Sequence, residues 1–315
     1  MAIFVYAENI NGKYKKAALE AVSYAKSIAD KAGDTVTAIT INATDSSDAL
    51  YQYGASKVLK IQDDQLKNFS AKTYAEVINQ AADGNVIVLP HSTLASSIAP
   101  MLSVQKGFSL ITNAIESPES TSPFQVKRKV FSGKGYMMAK ADASGVVVTV
   151  AQNSFGLKAD AVSGSEESYS ANVSGNDIQV ISHEETSGKL DLKEAEIVVS
   201  AGRGMKGPEN WGMIEDLAQV LGAATACSKP VSDIGWRSHS EHVGQTGKAI
   251  SPNLYIAVGI SGAIQHLAGV NASKTIVVIN NDAEAPFFKS ADYGIVGDAF
   301  EIIPALTEKI KALKG

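Results

Sequence analysis

The sequence predicts an α/β protein of two domains. The N-terminal one is a parallel α/β domain with antiparallel additions, and the C-terminal one is a doubly wound sheet. Three observations carry this. Short apolar runs alternate with stretches of helical spacing in both halves. Most runs in the second half end in Gly, Ser, Asn or Asp. The chain has 315 residues, which suits two domains of roughly 100–200 residues each.

IFVYAE (3–8) is the first predicted strand. YKKAALEAVSYAKSIADKAG (14–33) follows with Ala18, Ala21, Val22, Ala25, Ile28 and Ala29 on one helical face and Gly33 as the stop. TVTAITI (35–41) is β-branched and reads as a second strand. Residues 46–54 form a short helix, KVLKI a third strand, 72–82 a helix, NVIVLP (85–90) a strand and 94–106 a helix. This order implies a parallel sheet covered by helices. After the Pro/Ser loop ESPESTSP, residues 124–152 read as strands joined by Gly-containing turns, an antiparallel addition. Residues 163–175 are polar and read as an exposed connection. The charged segment 181–195, with Gly188 inside it, places the domain boundary between residues 188 and 189.

The alternation then restarts. EIVVSAGRG (196–204) is a strand with a glycine turn, and 208–222 a helix opened by Pro208 and closed by Gly222. AATACS, LYIAV (254–258), KTIVVIN (274–280) and DYGIVGD (292–298) are strands. SGAIQHLAG starts a helix, and 299–313 is the terminal one. A sheet of this kind binds its ligand beyond the carboxyl ends of its strands.

Composition narrows the function. Hydrophobic residues make up 45% and charged residues 19%, and the net charge is −5. A chain whose main work is coating nucleic acid would carry the opposite balance. The single cysteine, Cys227, excludes an internal disulfide and a multi-cysteine metal site. MAIFVYAE has a strand pattern rather than that of a signal peptide, and no apolar run reaches the ~18–20 residues of a membrane span. A cytoplasmic protein without direct membrane insertion is expected.

Polar residues recur after the strands of the second half: Arg203, Ser228 and Lys229, Ser261 to His266, Asn280, and Asp298. Burying such a row is costly unless something bonds to it. GRGMKG (202–207) lacks the Gly-Lys-Ser/Thr of a Walker sequence, and no acidic residue on the next strand completes a dinucleotide fingerprint. It fits either a tight strand-to-helix turn or a phosphate-facing one. HSEH (239–242) has two histidines but no third clustered ligand, so a surface loop outweighs zinc and no metal is expected. In HVGQTGK (242–248), the Thr246 hydroxyl beside glycine-loop amides suits the polar edge of a planar ring. His266, near a helix N-terminus, should be neutral. It is either a core histidine bonded to a carbonyl or a group that meets developing negative charge.

SAGRGMKGPENW, HVGQTGKAISPNLYIAVGISGAIQHLAG and INNDAEAPFFKSADYGIVGD closely resemble the signature of the electron transfer flavoprotein alpha subunit. Strong resemblance runs from about residue 196 to 305; the N-terminal half matches in its α/β pattern and its opening strand. The resemblance implies a heterodimer with a beta subunit and FAD in the C-terminal domain. Acyl-CoA dehydrogenases or related flavoenzymes would be the electron donors, as in fatty acid β-oxidation. A quinone reductase or another acceptor would receive the electrons.

Carried onto this chain, the family's FAD contacts fall on Arg203, Ser228, Lys229, the run Val243, Gly244, Gln245 and Thr246, the run Ser261, Gly262, Ala263, Ile264, Gln265 and His266, then Asn280 and Asp298. Thr246 would bond flavin N5 and His266 would sit near the C2 carbonyl. Ser261 and Asn280 would serve the ribityl, phosphate and adenosine parts. One departure stands out. Many members have SRAAVD where this chain has SKPVSD. Lys229 keeps the charge but loses the planar fork, which implies weaker stabilisation of the anionic, one-electron-reduced flavin.

The residues offer no defensible hydrolytic triad or carboxylate pair, in keeping with an electron carrier rather than an enzyme. A bifurcating relative, with NADH, ferredoxin and a second FAD in the beta subunit, is the alternative within the family. A dehydrogenase with its own substrate pocket and a non-redox nucleotide-binding protein are the alternatives outside it.

Overall fold

The computed structural model describes residues 2–131, 133, 135–175, 178–182 and 190–314. They fall into two compact units, each with its own sheet. The boundary expected between residues 188 and 189 lies outside the described residues.

In the first unit the strands are β1 (Ile3–Tyr6), β2 (Asn9–Ile10), β3 (Lys13–Tyr14), β4 (Val36–Ile41), β5 (Lys57–Ile61), β6 (Val86–Pro90), β7 (Ser109–Ala114), β8 (Ser120–Thr121), β9 (Phe124–Val130), β10 (Gly135–Lys140), β11 (Val146–Val150) and β12 (Ser165–Ser168). The helices are α1 (Lys16–Ala32), α2 (Asp48–Tyr51), α3 (Ala71–Ala81) and α4 (Thr93–Lys106). The main sheet runs β10-β9-β7-β11-β6-β1-β4-β5-β12, with β8 paired to β9. From β7 to β12 all pairings are parallel, whereas β9 and β10 add antiparallel. Strands β1, β6 and β11 are buried at every residue, as a parallel sheet covered on both faces requires.

Helix α1 buries its alanine face and ends in the left-handed Gly33. Its one buried carboxylate, Glu20, accepts backbone N–H bonds from Asn153, Phe155 and Gly156 at 2.7–2.9 Å. The helix thereby closes the chain end of β11. Ser70 and Ser92 cap α3 and α4 by accepting N–H bonds from the first turn.

Three sequence expectations change. Residues 146–150, expected in the antiparallel addition, form β11, parallel between β6 and β7. VVVTV is apolar on both faces and therefore sits in the sheet interior rather than at an edge. Residues 109–114 are a strand where none is predicted, because SLITNA mixes polar and apolar residues without a clean period. Within the expected exposed connection, residues 165–168 pair with β5 as an edge strand. All four are exposed, and Lys57–Glu167 and Lys60–Glu166 ion pairs tie them to β5.

The second unit contains β13 (Ile197–Ala201), β14 (Ala224–Cys227), β15 (Leu254–Val258), β16 (Thr275–Asn280) and β17 (Tyr293–Val296), all parallel, in the order β14-β13-β15-β16-β17. Its helices are α5 (Gly212–Leu221), α6 (Lys229–Asp233), α7 (Ile264–Val270) and α8 (Ala299–Lys314). Helices α5, α6 and α8 cover one face around Trp211, Ile214, Leu217, Val231 and Ile303. Val270 of α7, Tyr255 and Phe287 pack on the other. The order reverses direction between β13 and β15, which makes that gap the topological switch point. No described helix is long and apolar enough to cross a membrane.

Candidate functional site: a cleft at the switch point

A cleft of about 550 Å³ opens beyond the carboxyl ends of β13, β14, β15 and β16, within the range of small-molecule and cofactor sites. Each strand contributes the residues that follow it. Arg203 and Gly204 come after β13, Ser228 and Lys229 after β14, and Ser261, Ala263, Gln265 and His266 after β15. Asn280 closes β16, and the loop Val243, Gly244, Gln245 and Thr246 completes the wall.

Glycines make the close approach possible. A Cβ on Gly204 would stand 2.6 Å from the Gly259 Cα, so the turns after β13 and β15 touch backbone to backbone. A Cβ on Gly269 would meet the Gly244 Cα at 2.5 Å, which lets the 243–246 loop lie directly on α7. The Gln245 N–H donates to the Gln265 carbonyl at 2.7 Å and fixes the loop there. Asn280 is buried and structural as well as lining: its Nδ2 donates to the Ile260 carbonyl at 3.0 Å and its Oδ1 accepts from the Asp282 N–H at 3.1 Å.

Gly262, Ile264 and Asp298 of the expected set do not line the cleft. Gly262 is buried at φ +82°, and a Cβ there would run into Phe287. Ile264 is exposed. Asp298 caps α8, its Oδ1 accepting the Phe300 N–H at 2.9 Å.

His266 is 7% exposed, and its Nε2 lies 2.8 Å from the hydroxyl of Tyr255, itself fully buried. Its Nδ1 is buried as well. Burial pushes the imidazole down from 6.5 to about 4, neighbouring His242 pushes the same way, and a hydrogen bond from the ring to the Val243 backbone opposes both. The ring is neutral, as the sequence indicates, but burial rather than the helix dipole is the leading cause.

His242 is the residue that sequence reasoning missed. The HSEH pattern predicts a surface loop, yet His242 is buried and lines the cleft. The missing signal was its place directly before the glycine loop. Burial lowers its pKa first, Lys229 and His239 lower it further, and Asp233 raises it. The other members of the pattern serve the fold. His239 Nδ1 pairs with the Ser232 hydroxyl at 2.6 Å. Glu241 holds Arg237 through two bonds of 2.8 and 3.0 Å, and Arg237 stacks over Trp211. Among the described residues no group of His, Cys, Asp and Glu could hold a metal ion.

A nucleotide-sized cleft at the switch point of a doubly wound sheet, with polar residues from successive strand ends on its wall, defines a cofactor-binding α/β protein. The comparisons give the cofactor and the family. Residues 191–271 match the electron transfer flavoprotein FAD-binding domain, and residues 3–175 the electron transfer flavoprotein domain. An electron transfer flavoprotein subunit alpha of Bacillus subtilis is 35% identical over 99% of this chain and 98% of its own length. That of Thermoanaerobacterium thermosaccharolyticum is 37% identical over the same shares, and that of Pseudomonas aeruginosa 35% over 98% and 100%. The chain belongs to the electron transfer flavoprotein alpha subunit family, and its cofactor is FAD.

Proposed function

We propose that this chain pairs with a beta subunit and carries electrons from acyl-CoA dehydrogenases or related flavoenzymes to a quinone reductase or another acceptor. FAD supplies the redox chemistry. On this reading residues 189–315 hold the cofactor and residues 1–188 form the scaffold that meets the beta subunit. The chain is a cytoplasmic carrier rather than an enzyme. The supporting observation is the cleft itself, whose wall brings together His266, Thr246, Gln245 and the Arg203 turn from separate strand ends.

The residues divide by chemistry. Arg203 supplies positive charge at a glycine turn, suited to the pyrophosphate. Thr246 offers a hydroxyl for flavin N5, and His266 an uncharged imidazole for the C2 carbonyl edge. Ser261 and Asn280 would serve the ribityl, phosphate and adenosine portions, and Ser228 and Lys229 also line the cleft.

The test is an absorbance spectrum of the chain co-purified with its beta subunit, followed by stepwise anaerobic reduction. One FAD per heterodimer, reduced by an acyl-CoA dehydrogenase and its substrate, supports the proposal. Two FADs, one of them reduced directly by NADH, would replace it with the bifurcating form. A folded heterodimer without flavin would overturn it.

A further inference from the structure

The cleft wall holds a buried polar ring whose hydrogen bonds the protein leaves unmade. His242 is 7% exposed and lines the cleft. Among the described residues nothing hydrogen-bonds its ring, yet neither ring nitrogen is sealed off. Asn280 and His266, buried in the same wall, are engaged. Asn280 bonds the Ile260 carbonyl and the Asp282 N–H, and His266 bonds the Tyr255 hydroxyl and the Val243 backbone. A polar group buried to this degree is normally bonded, and an unspent one points to something that binds there.

The ring is built into the loop that carries Thr246. Strand β14 fixes the start of that loop: His242 bridges to Cys227, and the Val243 N–H donates to the Cys227 carbonyl at 3.1 Å. The Lys248 N–H returns to the His242 carbonyl at 2.9 Å and closes the loop on itself. Two glycines make room for the imidazole. A Cβ on Gly247 would stand 2.8 Å from its Nδ1, and one on Gly244 would stand 3.3 Å from its Nε2. The same Gly244 position lies 3.7 Å from the His266 Cα. His242 thus sits between the glycine that follows Thr246 and the glycine that packs against His266.

We propose that His242 is a further cofactor-contacting residue: its imidazole hydrogen-bonds the polar edge of the flavin's pyrimidine ring, between the reach of Thr246 and that of His266. This rests on the proposed function above and deepens it. An uncharged imidazole offers one donor and one acceptor. That edge of the flavin presents both, a ring N–H flanked by carbonyls.

The surrounding charges support a neutral contact. Burial is the first cause that lowers the His242 pKa, Lys229 and His239 lower it further, and Asp233 opposes them. His266, which faces it, is held neutral by its own burial. The pair therefore brings hydrogen-bonding capacity to the flavin without a charge that must be desolvated beside it.

The experiment follows the ring ¹⁵N signals of His242 in the heterodimer, with ¹⁵N-histidine in this chain, before and after FAD is added to the flavin-stripped complex. Their absence from His242→Gln assigns them. Expected is a shift of both signals when FAD binds. Flavin fluorescence gives the affinities. His242→Phe fills the seat but cannot bond, so affinity should fall about tenfold. His242→Gln keeps a donor and an acceptor and should stay within ~3-fold of wild type. Signals unmoved by FAD, or a Phe variant that binds as tightly as wild type, would overturn the proposal. Equal losses in the Phe and Gln variants would do so too, since the ring would then act by its shape alone. Should the Phe variant not assemble, the wild-type signals decide. A heterodimer that binds FAD with His242 unmoved refutes this contact only, whereas one that takes up no FAD refutes the flavoprotein reading with it.

Discussion

Acid should loosen the FAD domain through His266, and the size of the effect can be worked out. The ring titrates near 6.5 when exposed and near 4 in the fold. A histidine with a depressed folded value binds protons more readily when unfolded. Stability is therefore complete above 6.5 and falls as the pH drops towards 4. From about pH 7 to about pH 4.5 the unfolded ring takes up about three quarters of a proton and the folded ring about a quarter of one. Integrating gives a loss of about 2 kcal/mol. His266→Gln removes the titrating group, so its acid sensitivity should be smaller by that amount. Carboxylates contribute equally to both proteins and cancel in the comparison. Both tryptophans, Trp211 and Trp236, lie in the second unit, so their fluorescence under urea reads this domain alone. At a slope near 2 kcal/mol/M, the extra loss appears as a midpoint shift of about 1 M. Equal acid sensitivity in the two proteins would refute the assignment of His266 as a buried, neutral ring.

Arg237→Ala should cost about 2–3 kcal/mol, because it removes two charge-assisted hydrogen bonds from the buried Glu241 carboxylate; urea unfolding followed by tryptophan fluorescence checks it, and a loss below 1 kcal/mol refutes it. Gly269→Ala should push the 243–246 loop off α7, since the new Cβ meets Gly244. FAD affinity should fall at least ~10-fold, about 1.4 kcal/mol, in a flavin-fluorescence titration of the heterodimer; unchanged affinity refutes it. Lys229→Arg should raise the yield of one-electron-reduced flavin during reductive titration, because the guanidinium adds a planar fork to the same charge; equal yields refute it.

What the sequence revealed follows from how locally each feature is encoded. LYIAV and VIVLP are buried on both faces, so their apolar runs mark strands without outside information. Arg203, Ser228, Ser261 and Asn280 were legible because each sits directly after such a run, where a parallel sheet puts its ligand. Strand β11 was visible as a strand but not as a parallel one. Direction depends on which neighbours it inserts between, and those are set by contacts with β6 and β7 far along the chain. Strand β12 is fully exposed and held by lysines of β5, so no hydrophobic period records it. The cleft role of His242 depends on Cys227 at the end of β14, beside which it forms an isolated parallel bridge. No spacing within HSEH encodes that neighbour.

The placement of charge in the cleft suits a carrier that must release what it accepts. Its cations, Arg203 and Lys229, are exposed, and the groups buried in the wall, His242 and His266, are held neutral. A permanent cation buried against a neutral oxidised ring would carry an uncompensated desolvation cost. Once the ring were reduced, the same cation would hold the electron too firmly to pass it on. A neutral N–H donor costs little beside the oxidised ring and gains strength as negative charge develops. Burying the histidine beside a second one keeps it neutral.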